Sequence, residues 1–247
     1  VIQELISANS PSVILGSYGE TLTLIAGKYA KANNIPAITI SSTNPLITTN
    51  NDYYFSATYS ETRQGDALAD FAYTSQKKIV AAAIKTEDDD TATATIKRFT
   101  NRFKKLSGQS NSVAGTFTVP KDSTDYSKTI DDIKASGADT VFVTLSAENS
   151  IEFMKQAMDK KLMNVLFLGT RSWNDDKLIK YFKENDRIQA AFPTEQSQNA
   201  ETEVSNEFIQ AFKAKYGESE EPSARTAVAF DAYCLAIDAI SRAYDAM

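Results

Sequence analysis

Short β-branched or apolar runs alternate with amphipathic segments from one end of the chain to the other. That alternation confines the chain to an α/β architecture, with parallel strands joined by right-handed crossovers and helices on both faces of the sheets. The runs Ser12–Gly16 (SVILG), Ile35–Ile40 (IPAITI), Lys78–Ile84 (KIVAAAI), Val113–Val119, Thr140–Leu145 (TVFVTL), Val165–Leu168 and Ile188–Phe192 read as strands. A polar, turn-rich stretch after the second run leads to a further extended piece, Tyr53–Ser56. Between these lie segments whose apolar residues recur at helical spacing: Glu20–Asn33, Asp66–Thr74, Thr91–Leu106, Tyr126–Ala135, Ala147–Lys160 and Asp175–Phe182. Two more, Glu203–Tyr216 and Ala224–Tyr244, close the chain. In Thr91–Leu106 the inward residues are Ile96, Phe99 and Phe103, with a basic outer face.

The alternation pauses twice in polar, turn-prone sequence, around Ala57–Glu61 and around Phe192–Gln198. If the chain crosses between lobes at both, residues 58–198 form one α/β lobe, and residues 1–57 with 199–247 form another. The chain opens inside one helix (Val1, Ile2, Leu5, Ile6) and closes on another without a cap. The first lobe is therefore expected to be incomplete, with any export signal lying upstream. Ligands of such folds bind at the carboxyl ends of the strands, so the cleft between the lobes is the expected site.

Composition removes most catalytic chemistries. Histidine is absent, which excludes Ser-His-Asp and Cys-His nucleophile systems and every His-built metal site. The single cysteine, Cys234, cannot form an internal disulfide or a zinc ribbon, and reads as a small buried hydrophobe on an apolar helix face. The nine glycines spell no GxGxxG, P-loop or GxSxG motif. A net charge of −6 with no Lys/Arg cluster argues against nucleic acid, and no apolar run approaches the length of a membrane span. No catalytic residue, metal or cofactor is expected. Glu87-Asp88-Asp89-Asp90 lacks the spacing of an EF-hand loop and reads as acids complementing the start of the next helix.

What remains informative is the polar chemistry after each strand. Ser17-Tyr18-Gly19-Glu20-Thr21 follows the first, and Ser41-Ser42-Thr43-Asn44-Pro45 the second. Hydroxyls and free backbone N–H groups at a helix start suit an anionic group such as a carboxylate. The competing reading is a helix cap and a turn. Further on, Ser146 follows TVFVTL, and Thr170-Arg171-Ser172-Trp173 follows VLFLG. Arg171 and Trp173 read either as a bidentate clamp and an apolar lid, or as an Arg paired with Asp175 or Asp176 and a Trp covering the core.

The run SVILGSYGETLTLIAGKYAKANNIPAITISSTNPLIT resembles the first-lobe signature of the leucine/isoleucine/valine-binding protein family, solute receptors of ABC transporters with the type I periplasmic-binding fold. Gly16, Glu20, Ile35-Pro36 and Ser42-Thr43-Asn44-Pro45 stand in register with it. Asp125-Tyr126-Ser127, Gly137–Phe142, Gln156-Ala157, Leu166–Gly169 and Phe230–Tyr233 extend the likeness over essentially the whole chain. The resemblance implies an extracytoplasmic, non-enzymatic receptor that binds an amino acid or related carboxylate or amide and delivers it to a membrane permease. The same fold also serves ligand-sensing domains of regulatory proteins. Family members grip the α-carboxylate with a helix-start Ser and an Ala-Thr loop, and the α-amine with an acid of the second lobe. Carried over, the loop is Ser42-Thr43, the helix-start position falls on Glu20 with Thr21 beside it, and the acid falls on or beside Arg171. The family's Tyr-Gly after the strand 78–84 has no counterpart; Asp88–Asp90 lies there. This apparent inversion of charge leads to the expectation that Arg171 meets a ligand carboxylate while Glu20 meets a cation or hydroxyl.

Overall fold

A computed structural model describes residues 1–17, 19–60, 62–162, 164–194 and 202–246. The chain divides into two compact units, Val1–Ser60 with Glu195–Met247, and Glu61–Thr194.

The first unit is built on a parallel sheet of three strands, β1 (Ile14–Leu15), β2 (Ala37–Thr39) and β3 (Tyr54–Ser56), in that order. Its helices are α1 (Ile2–Asn9), α2 (Glu20–Ala32), α8 (Glu203–Tyr216) and α9 (Ala224–Asp245). Successive strand residues face opposite sides of a sheet. Ala37 accordingly packs with Ala30, Ile47 and Tyr54 beneath α2, while Ile38 packs with Ala232 and Ala236 of α9. Val228, Ala232 and Ala236, spaced four apart, form the buried stripe of α9. Cys234 lies off that stripe and is exposed, correcting its expected burial.

The second unit holds a five-stranded parallel sheet of order β5-β4-β6-β7-β8. Its strands are β4 (Ala81–Thr86), β5 (Val113–Val119), β6 (Thr140–Val143), β7 (Leu166–Gly169) and β8 (Gln189–Ala191). The helices are α3 (Arg63–Asp70, continued by a π-helical turn over Phe71–Ser75), α4 (Asp90–Ser107), α5 (Ser127–Ala135), α6 (Ala147–Asp159) and α7 (Asp176–Glu184). Both faces of the sheet are covered, which is why the inner strands β4, β6 and β7 are largely continuous buried runs, whereas the edge strand β5 alternates. On one face Ala81, Ala83, Phe142 and Leu168 meet Leu68, Ile96, Phe99 and Phe103 of α3 and α4. On the other, Ala82, Ile84, Val141, Val143 and Phe167 meet Ile130, Ile133, Phe153, Met154 and Leu178 of α5, α6 and α7.

Side chains set the strand ends. The Asp139 carboxylate accepts hydrogen bonds from the backbone N–H groups of Ile79 and Val80, so β4 begins only at Ala81 and runs on to Thr86, later than its apolar run suggests. At the exit of β6, Thr144 donates from both its backbone N–H and its hydroxyl to the Ile84 carbonyl, and the strand stops at Val143. Asp89 caps α4 by accepting from the Ala92 N–H at 2.7 Å, the helix-start role expected of the acidic run.

Candidate functional site

In the first unit, the loops leaving all three strands are tied together by short polar contacts. Ser41 Oγ accepts from the Gly19 N–H (3.2 Å) and donates to the Ser17 carbonyl (3.4 Å). Thr39 Oγ1 accepts from the Ser42 N–H, and Thr58 Oγ1 donates to the Ser42 carbonyl at 3.0 Å. The buried Tyr54 hydroxyl donates to the Gly16 carbonyl at 2.7 Å, fixing the exit of β1 from below.

This scaffold leaves particular groups unused. Gly19 is the N-cap of α2 with φ +83° and ψ 155°, a conformation that favours glycine, and it gives no side-chain cap. Ser17 therefore does not cap the helix; Thr23 Oγ1 instead donates to the Gly19 carbonyl at 2.6 Å. Asn44 accepts from the Leu46 N–H and supplies the turn chemistry of its loop, so Ser42 and Thr43 are free of that role. Ser42 is 5% exposed and Thr43 6%. The hydroxyls of Ser17 and Ser42 are shielded from solvent and have no hydrogen-bond partner among the described residues. A buried hydroxyl without a partner costs free energy, which a bound group accepting its proton would recover. Glu20 and Thr21 begin α2 in solvent, where the Glu20 carboxylate complements the helix dipole. Tyr18 lies outside the described residues.

Burial pushes the Tyr54 phenol above its ordinary value of 10.0, against hydrogen bonds from Ser17 and Thr23 that lower it. Burial likewise raises Tyr126 and Tyr181. A raised phenol keeps its proton longer in the folded state than in the unfolded chain. Its contribution is therefore intact below pH 10 and is lost as pH rises through the folded-state value. Tyr54→Phe is expected to cost about 1 kcal/mol at neutral pH through the lost bond to Gly16. It should also make the loss of stability above pH 10 shallower, as urea unfolding at pH 8 and pH 11 would measure.

In the second unit, a cleft of about 550 Å³ opens at the carboxyl ends of β4, β6 and β7. From β4 the chain moves outward to β5 and then returns to the other side of β4 for β6, so this is the point where strand order reverses and parallel sheets bind ligands. Thr86 and Thr144 line it from the strand ends, Thr91 and Thr95 from α4, Ser146 and Asn149 from α6, and Thr170 and Ser172 from the β7 loop. Ser146 is the N-cap of α6, accepting from the Asn149 N–H at 3.2 Å.

Arg171 itself is not among the lining residues, although both neighbours are. Its backbone N–H donates to Oε1 of the buried Gln64 at 2.8 Å, which pins the 3-10 turn Arg171–Trp173 against α3. The alternative pairing with Asp175 or Asp176 is not formed; the Asp175 carboxylate caps α7 by accepting from the Lys177 and Leu178 N–H groups. Trp173 is fully buried, donates from Nε1 to Ser150 Oγ at 3.0 Å and packs on Phe182 at 5.4 Å. It covers the core and is not an apolar lid; the indole follows the 3-10 turn inward over Gly169.

Thr86, Thr91, Thr95, Thr144 and Asn149 were not anticipated. The detectable signal was positional: Thr86 closes β4 and Thr144 directly follows β6, while Thr91 and Asn149 sit in the first turns of the helices that follow and Thr95 one turn further on.

Among the described residues no helix is long and apolar enough to cross a membrane, and no group of His, Cys, Asp and Glu is placed to hold a metal. No curated protein matches the chain. Several solved structures do. The leucine-binding protein LivK of Thermotoga maritima is 24% identical with a TM-score of 0.70, over 98% of this chain and 67% of that one. The branched-chain amino acid transporter substrate-binding protein LivJ of Streptococcus pneumoniae, in complex with isoleucine, is 21% identical with a TM-score of 0.67, over 94% and 64%. An ABC transporter solute-binding protein of R. palustris, in complex with 4-hydroxybenzoate, is 18% identical with a TM-score of 0.66, over 95% and 63%. The chain thus spans about two thirds of the length of these structures and shares their fold. The periplasmic binding protein family matches residues 1–246, and the chain belongs to that family.

Proposed function

We propose that the chain is the solute-binding part of an ABC importer receptor. On this reading it acts outside the cytoplasm, takes a small polar solute bearing a carboxylate (an amino acid or a related acid or amide), and hands it to a membrane permease without chemical change. The observation that carries the reading is the pair of shielded hydroxyls, Ser17 and Ser42, without a hydrogen-bond partner among the described residues, on neighbouring strand-end loops of the first unit. Both can donate to an anionic oxygen, and Thr43 lies beside them. The ligands named for the similar structures, isoleucine and 4-hydroxybenzoate, have a carboxylate in common and little else. That favours a carboxylate as the group such a loop pair grips, with the rest of the solute left to other walls.

The test is the melting temperature against a panel of amino acids, small dicarboxylates, amides and sugars. A ligand at 100 times its dissociation constant adds about 2.7 kcal/mol, or several degrees for a chain of this size. A shift confined to carboxylate-bearing solutes is the expected result. No shift with any class would overturn the receptor reading, and a shift with sugars alone would overturn the carboxylate.

A further inference from the structure

The second unit carries twenty Lys and Arg against nineteen Asp and Glu, so it is close to neutral, yet the two signs gather at opposite ends of its sheet. Every chain segment that enters a strand is basic. Lys77-Lys78 precede β4, Lys104-Lys105 precede β5, Lys134 precedes β6, Lys160-Lys161 precede β7, and Lys183 with Arg187 precede β8. The strands are parallel, so all five entries share one end, side by side over about 19 Å at the usual strand spacing. The acids of that end are mostly engaged. Asp139 is held by the Ile79 and Val80 N–H groups, Asp131 and Asp132 pair with Lys160 and Lys128, and Glu184 lies 3.8 Å from Lys180, which leaves Asp159 and Asp186. Apart from Lys160, none of these strand-entry bases forms an ion pair among the described residues. The remaining acids crowd the carboxyl end, in the run 87–90 and at Asp122, Asp125, Glu148, Asp175 and Asp176, beside Lys121, Arg171 and Lys177.

Complementing a helix dipole accounts for bases in a last turn, as at Lys104, Lys105, Lys134 and Lys183. Lys77, Lys78, Lys161 and Arg187 lie beyond the helix ends and are not explained that way. Among them stands Ile79, directly after Lys77-Lys78 and 64% exposed, the one large exposed hydrophobic side chain among the described residues of the second unit. Its backbone N–H is tied to the Asp139 carboxylate at 2.9 Å, so the side chain is presented from a fixed backbone.

We propose that this basic end of the second unit is a docking surface for an anionic lipid bilayer. Lysines are drawn to the negative potential of such a surface, and an aliphatic side chain among them gains by entering the headgroup boundary. A soluble polyanion would satisfy the lysines alone and leave Ile79 in water. The net charge of −6 does not forbid the contact, because charges farther away than about 8 Å are largely screened at physiological salt. The carboxyl ends of β4, β6 and β7, with their cleft, then face away from the bilayer. No single stretch of sequence announces the surface, since the topology assembles it from short basic pieces far apart in the chain. The proposal goes beyond the receptor reading and does not depend on which solute is bound.

Co-sedimentation of the whole chain with phosphatidylcholine vesicles containing about one third phosphatidylglycerol, against phosphatidylcholine alone, reads the contact at about 0.1 M salt. Binding to the anionic vesicles only, lost at about 1 M salt, is the expected result. Lys77→Ala and Lys105→Ala, both at exposed positions, should each weaken it about fivefold without changing the melting temperature. Alanine at Lys121 and Lys177, at the opposite end of the sheet, should leave it unchanged, which separates this surface from net charge. Ile79→Ser should weaken vesicle binding at least about fivefold and leave any binding to soluble polyglutamate unchanged. No preference for the anionic vesicles would overturn the proposal, and so would an equal loss from the Lys121 and Lys177 changes. Vesicle binding that Ile79→Ser leaves intact removes the apolar insertion on which the choice of a bilayer rests and overturns it. Binding to polyglutamate without binding to vesicles assigns the surface to an acidic soluble partner instead.

Discussion

Alanine at Gly169 is expected to destabilise the second unit by about 3 kcal/mol, at the upper end of what overpacking costs. The added methyl would fall inside the indole of Trp173, closer than any side-chain carbon approaches an aromatic ring. The ring has nowhere to go. It is fully buried, its N–H is held by Ser150, and Phe182 packs against it. Removing the ring alone, as Trp173→Ala, should cost about 3–5 kcal/mol through the cavity it leaves. The double variant provides the decisive comparison, because the void left by the indole accommodates the methyl. Its cost should be no greater than that of Trp173→Ala by itself, so the two substitutions should be strongly non-additive. Urea unfolding of the three variants measures this, and additive costs would refute the steric account. The consequence reaches the cleft, since the same 3-10 turn carries Thr170 and Ser172 on its outer side.

Local periodicity was enough to locate the elements. Val113–Val119 and Glu203–Tyr216 run between the residues their patterns suggest, and the inward set Ile96, Phe99 and Phe103 is buried. Boundaries drifted where a distant side chain intervenes. Asp139 delays the start of β4, and Thr144 ends β6, through bonds that join residues about sixty positions apart. The family resemblance was likewise legible, because glycine, proline and hydroxyl positions around the first two strands are local. The site was less so. Trp173 and Cys234 have surroundings that suit either burial or exposure, and the choice is made by a turn geometry and a helix stripe that only packing reveals. Arg171 and Asp175 are four apart, a spacing that invites a pair, yet helix capping claims the carboxylate. The cleft residues Thr91 and Asn149 are ordinary helix-start residues until the strand order places both helices at the point of reversal.

Ser42→Ala separates function from stability within one variant. The hydroxyl is shielded and makes no hydrogen bond among the described residues, so its removal is expected to leave the melting temperature unchanged or slightly raised. Most buried hydroxyls would show the reverse, since their removal breaks a bond that the fold uses. In the presence of ligand the same change should be costly, because a hydrogen bond to a charged group is worth about 1.5–3 kcal/mol. At a concentration 100 times the wild-type dissociation constant, the stabilisation by ligand should fall from about 2.7 kcal/mol to between about 0.3 and 1.3 kcal/mol. Thermal melts with and without the solute identified from the panel make the comparison directly. A variant that melts lower without ligand but keeps the full ligand shift would make Ser42 a structural residue and leave the carboxylate without its grip. Loss of the ligand shift at an unchanged free-state melting temperature requires that the hydroxyl is held unpaired for the solute, because no other partner within the described fold uses it.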